Sequence, residues 1–180
     1  SPDGRNIILE RTNSRFLLDP NQTTLQGKLV NLTAKKFTDL EAEWKKQEEK
    51  KQEAQLNNLP EIVADIMARK TSVFRFSPDE NRILYTAKED GTIPNNLIPS
   101  LPGVSTQKEE RAIKNGQTYI YDIKEDRNFL ISSSTEDKIQ WVPTSRHVVI
   151  GAKDSISVME NDATNKWAIW SGPYEQPNVF

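Results

Sequence analysis

Apolar and polar positions along this chain change over in runs too short for helices. Val73–Phe76 (VFRF) alternates, and Ile139–Val142 (IQWV) is apolar around one polar residue, so both read as strands. Each leads into a similar turn. "SPDENRILY" at 77–85 lies without gaps under the opening "SPDGRNIIL" at 1–9, and "VPTSRHVVI" at 142–150 keeps the proline and the apolar run. Pro2, Pro78 and Pro143 preset φ for the second position of a type I turn; Asp3 and Asp79 tolerate the third, and Gly4 accepts what the fourth requires. Each copy predicts a hairpin. Third strands are expected at Arg15–Asp19, Tyr119–Ile123 and Ser155–Glu160, and fourth strands at Lys28–Leu32, Asn128–Ser132 and Lys166–Trp170. The unit is therefore a four-stranded antiparallel meander, repeated.

Two segments break the pattern. "LEAEWKKQEEKKQEAQLNNL" at 40–59 is rich in helix formers, with Glu41 four residues before Lys45 and with Thr38 and Asp39 placed to cap its start. Pro60 opens a shorter helix whose Ile62, Val63, Ile66 and Met67 make an apolar face. The region at about 89–114 carries Pro94, Pro99 and Pro102 with no period and reads as a long surface loop. Setting aside Ala34–Lys70 and about Glu89–Lys114 leaves a repeat of about 39 residues. The organisation expected is a first unit at 1–33 lacking its own first strand and a helical insertion at 34–70. A second unit at 71–134, a third at 135–177 and the start of a next unit at 178–180 follow.

Composition narrows the partners. A net charge of −2 gives no basic face for nucleic acid. With no cysteine there is no disulfide framework, thiolate nucleophile or Cys-based zinc site, and no run of apolar residues is long enough for a membrane span. A start at Ser1 without an initiating Met is what excision from something longer would give, and an expressed fragment would look the same; if the protein is exported, its leader is missing from this chain.

The stretch "FRFSPDENRILYTA" at 74–87, the opening "SPDGRNIIL", the strand ends "YIYDI" and "FLLD", and "KLVNLT" at 28–33 resemble the Pro-Asp propeller repeats of TolB-like proteins, which are related to the propeller domains of dipeptidyl-peptidase-type enzymes. The resemblance covers about two thirds of the chain and leaves both insertions outside it. It implies a mainly β fold of antiparallel four-stranded propeller-type blades, about three of them in an incomplete ring, with an inserted helical segment. Because known propellers close with roughly four to eight blades, it also implies a piece of a larger propeller, or an array whose edges are met by neighbouring chains. An extracytoplasmic location, periplasmic or cell-surface, follows from the resemblance alone.

No stretch carries catalytic chemistry. His147 is the only histidine and no G-x-S-x-G elbow accompanies any serine, so His147 is expected to be an exposed residue at a strand edge. "KEDG" at 88–91, "KEDR" at 124–127 and "MENDATN" at 159–165 lack calcium-loop spacing and read as turns. Asn21-Gln22-Thr23 and Asn31-Leu32-Thr33 match the N-glycosylation pattern, which has meaning only in a eukaryotic secreted protein. Trp141, Trp167 and Trp170 fall on strands and are expected in the core. Trp44 sits on the charged helix; either it packs onto a sheet, or with Phe37 and Leu40 it marks a partner surface. The helix does not sustain the heptads of a coiled coil.

The function expected is a non-catalytic β-propeller segment acting as a protein-binding or scaffolding platform, with no cofactor and no metal. The alternative is part of the substrate-gating propeller of a serine peptidase whose catalytic domain lies outside this chain.

Overall fold

The computed structural model describes residues 1, 5–12, 14–21, 30–99 and 107–173. Pro2, Asp3, Gly4, Pro102, residues 28–29 and residues 178–180 therefore lie outside the described residues. The fold is mainly β, with antiparallel four-stranded sheets and, among the described residues, two helices. It divides into two compact units, Ser1–Asn58 and Leu59–Phe180.

In the first unit, β1 (Ile7–Arg11), β2 (Ser14–Leu18) and β3 (Val30–Asn31) form an antiparallel sheet in that order. Helix α1 (Ala34–Leu56) follows. Its cap is Thr33, whose side chain accepts the Lys36 amide, so the helix begins earlier than Thr38 and Asp39 suggest. Thr38 lies inside it, its hydroxyl donating to the Ala34 carbonyl. None of the residues of α1 is fully buried. Side-chain pairs one turn apart support it, with Gln47 donating to Glu43 and Gln52 to Glu48.

In the second unit, helix α2 (Glu61–Lys70) leads into β4 (Thr71–Phe76). Val63, Ile66 and Met67 of α2 are buried, whereas Ile62, expected on the same face, is 46% exposed. Strands β4 and β5 (Arg82–Ala87) form the first hairpin, and β6 (Gly91–Thr92) and β7 (Ala112–Ile113) make a small ladder of their own. With β8 (Thr118–Asp122) and β9 (Arg127–Ser132) the second sheet is complete in the order β4-β5-β8-β9. The third sheet runs β10 (Lys138–Trp141), β11 (His147–Ala152), β12 (Ser155–Glu160) and β13 (Trp167–Ser171).

The repeated turn has one geometry. The residue that opens it donates its backbone nitrogen to the carbonyl five residues on: Ser1 to Asn6 at 2.6 Å, Ser77 to Arg82 at 2.8 Å, and Val142 to His147 at 3.0 Å. Ser1 and Ser77 also accept back through their hydroxyls, from the Asn6 and Arg82 amides; Val142 has no hydroxyl to offer. The fourth residue is left-handed in both fully described copies, φ 59° at Glu80 and 62° at Ser145.

Asp79, at the third position of the turn, is a test of this geometry by pH. Partial desolvation pushes its pKa up, but hydrogen bonds from the Ser77 hydroxyl and Asn81, with the Arg82 charge nearby, outweigh that and hold it down at about 2. A depressed folded-state pKa contributes stability that is present above the unfolded value of about 3.9 and is lost as pH falls through the folded value. In urea melts, wild type is expected to exceed Asp79→Asn by a constant, modest margin above about pH 5, and the margin should shrink toward zero by about pH 2.

The second and third sheets pack face to face. Leu84 of β5, Ile120 of β8, and Phe129 and Ile131 of β9 meet Val148 and Ile150 of β11 and Met159 of β12, with Ile139 and Trp141 of β10 packed against them. Two polar links join the same sheets: the Asp79 amide donates to the buried Ser145 hydroxyl at 3.0 Å, and the Trp141 indole N–H donates to the Arg75 carbonyl at 3.3 Å.

The opposite face of the second sheet carries Ile83, Tyr85, Tyr119 and Tyr121, all buried, with the Tyr85 and Tyr119 rings stacked at 5.5 Å. The segment expected as a surface loop is bonded to this face. Ile113 of β7 and Ile93, which follows β6, are each 1% exposed, and three hydroxyls of the tyrosine face lead by hydrogen bonds into the segment. A loop without period thus contains an apolar side that periodicity could not reveal.

Candidate functional site

Register identifies the same positions in the second and third sheets. Leu84, Ile120 and Phe129 are direct cross-strand neighbours in one, and Val149, Val158 and Trp167 are in the other. Both sheets also carry a β-bulge at the same place between third and fourth strands. Ile131 is the extra residue opposite Thr118–Tyr119, and Ile169 is the extra residue opposite Ile156–Ser157. The four residues by which the second sheet receives the third, Leu84, Ile120, Phe129 and Ile131, therefore correspond to Val149, Val158, Trp167 and Ile169. All four counterparts are apolar, and two are open to solvent: Trp167 is 71% and Ile169 62% exposed.

The bulge also corrects the expectation for the tryptophans. Residues three apart on a regular strand point to opposite faces, but Trp167 pairs with Val158 and Trp170 with Ile156, two residues of one face. One extra residue between them brings both indoles to the same side, and Trp170 is 52% exposed. Neither belongs to the core; of the three strand tryptophans only Trp141 packs against it. Every residue of β13 is exposed.

His147 begins β11, an inner strand of the third sheet, and is half-buried opposite Glu160. It occupies the position that Arg82 holds in the second sheet, where Arg82 faces Asp122. Arg82 Nε lies 2.8 Å from Asp122 Oδ2, close enough for the charges to pair although the N–H is not directed at the oxygen. His147 thus stands in a structural position of the repeat. "KEDR" forms the β8–β9 turn and "MENDATN" connects β12 to β13.

In the first unit, Phe37, Leu40 and Trp44 fall three and four residues apart on α1 and are each half-buried. The Arg15 guanidinium lies 3.9 Å from the centre of the Phe37 ring, and Arg15 also pairs with Glu10 at 2.6 Å. These three side chains share a helix stripe, as expected of either packing or a partner surface.

A groove of about 240 Å³ opens between the second sheet and β10, lined among others by Val73, Arg75, Thr118, Asp137 and Lys138. It holds mixed charge, and neither a histidine nor a cysteine lines it. A second depression of about 550 Å³ lies at the β1–β2 hairpin, beside Glu10, Arg11 and Arg15.

A buried polar group is centred on Asp126, in the β8–β9 turn at φ 50°. Its carboxylate accepts the Tyr121 hydroxyl at 2.8 Å, Arg111 Nη1 at 2.9 Å and the Leu97 amide at 2.7 Å. Arg111 also donates to the Asp126 and Pro94 carbonyls and pairs with Glu109. Burial pushes the Tyr121 pKa far up, and its hydrogen bond to Asp126 adds to this, so the phenol stays protonated and donates. Burial likewise raises Tyr85, whose hydroxyl donates to Asn128 at 2.9 Å. Asn128 in turn donates to the Glu110 carbonyl. Among the described residues each donor of this group has an acceptor, so the network ties Pro94, Leu97, Glu110 and Arg111 to the tyrosine face.

No protein family, curated protein or solved structure matches this chain. No helix among the described residues is long and apolar enough to cross a membrane.

Proposed function

We propose that this chain is a non-catalytic segment of a β-propeller of the TolB-like kind and serves as a protein-binding or scaffolding platform. The observation that carries the reading is repetition in three dimensions: one turn closure, one bulge position and one receiving face in successive four-stranded sheets. Four-stranded antiparallel sheets stacked through such faces are the units of propellers. Rigid sheets with insertions between them suit recognition, since insertions vary at little cost to the core. Helix α1 is the partner-facing element, through Phe37, Leu40 and Trp44, because it is long, charged and fully buries none of its residues.

The test is capture of partner proteins from the native cell extract by the whole chain and by the triple variant Phe37→Ser, Leu40→Ser, Trp44→Ser. Anchors of this kind contribute about 2 kcal/mol or more each, so recovery of a specific partner should fall at least tenfold while helical circular dichroism is kept. Undiminished recovery by the variant, or no specific partner for the unsubstituted chain, would overturn the role given to α1.

A further inference from the structure

The third sheet's open face has a counterpart on the first sheet. When the third sheet packs on the second, it does so through Val148, Ile150 and Met159. Register places Ile7, Leu9 and Leu18 of the first sheet at those same positions: Ile7 pairs with Leu18 as Val148 pairs with Met159, and Leu9 lies two residues beyond Ile7 as Ile150 lies beyond Val148. All three are apolar. Ile7 is 51% and Leu9 47% exposed, and Leu18 is half-buried. The chain thus presents both halves of a junction it already makes once. One half is the inserting face of the first sheet, and the other is the receiving face of the third, with Val149, Val158, Trp167 and Ile169.

We infer that these two faces join between copies, the first sheet of one chain seating on the third sheet of another. The occupant is a second copy because the complementary face is on this chain, at the same register, with the same residue class as the junction between its second and third sheets. The second sheet's own receiving face, Leu84, Ile120, Phe129 and Ile131, is already filled by the third sheet of the same chain. Joining two different faces is a heterologous contact, which builds rings where the rotation closes and open arrays where it does not. The inference rests on the repeat of the sheets and is independent of what α1 binds.

Sedimentation velocity of the whole chain across micromolar concentrations tests it, with Leu9→Glu and Trp167→Glu as variants. Both residues are exposed, so each variant should keep the wild-type circular dichroism; Ile7→Lys and Ile169→Lys provide a second pair should either of the first lose it. Wild type is expected to associate with rising concentration, and each variant alone to remain monomeric. An equimolar mixture of the two should stop at a dimer, because only one intact face of each kind is left. Monomeric wild type, a mixture that stays monomeric, or assembly that survives Leu9→Glu while Trp167→Glu abolishes it would overturn the inference; the last pattern would mean third sheets pairing with each other.

Discussion

Replacing Asp126 by alanine is expected to destabilise the second unit by about 3–5 kcal/mol, the cost of removing one partner from a buried ion pair. The carboxylate is nearly inaccessible and receives three donors from three parts of the chain: Tyr121 on β8, Arg111 beside β7, and the Leu97 amide. Alanine leaves the phenol without its acceptor and removes one carboxylate from the guanidinium, which keeps Glu109 and the Pro94 and Asp126 carbonyls. It also places a side chain without local hydrogen bonds at φ 50°, a conformation that aspartate tolerates better. Asp126→Asn keeps the turn and an acceptor oxygen, and should lose less than half as much. Urea denaturation followed by tyrosine and tryptophan fluorescence measures both. Loss of these bonds should further raise amide hydrogen exchange at Leu97 and Ile93 before the sheets themselves exchange.

Phe129→Ala should cost a similar amount, about 3–5 kcal/mol, for a different reason. The ring is 3% exposed within the seven-residue cluster between the second and third sheets, and its removal empties a volume between the two packed sheets. Neighbouring strands cannot close on the gap without breaking the register that pairs Ile120 with Phe129. Arg127, whose guanidinium lies 5.0 Å from the ring, loses that contact as well. The unfolding midpoint in urea should fall with little change in slope, since the surface exposed on unfolding is nearly the same.

Much of the strand order was legible because turn chemistry and short apolar runs are local signals. Pro78 and Pro143 sit where the turns are, and the strands fall within a residue or two of "VFRF", "YIYDI", "SISVME" and "NFLIS". Helices were legible in kind and less so at their ends, because Thr33 caps α1 ahead of Thr38. What escaped depended on register. A bulge adds one residue without any marker in composition, so Trp167 and Trp170 read as core while Ile169 moves both indoles to the open face. The Asp126 network escaped for another reason: its members are far apart in sequence, and "KEDR" looks like any polar turn until Arg111 and Tyr121 are brought to it. Phe37, Leu40 and Trp44 were legible as one stripe because helical spacing is local too.

The third sheet repeats the second and leaves open, at Trp167 and Ile169, the face that the second has filled. Equivalent residues should then differ sharply in what they contribute to the single chain. Trp167→Ala and Phe129→Ala remove aromatic rings from corresponding positions, one 71% and the other 3% exposed. Urea denaturation of both variants at concentrations where the chain is monomeric measures the contrast directly. The account predicts a loss within about 0.5 kcal/mol for Trp167→Ala against about 3–5 kcal/mol for Phe129→Ala; comparable losses at the two positions would contradict it.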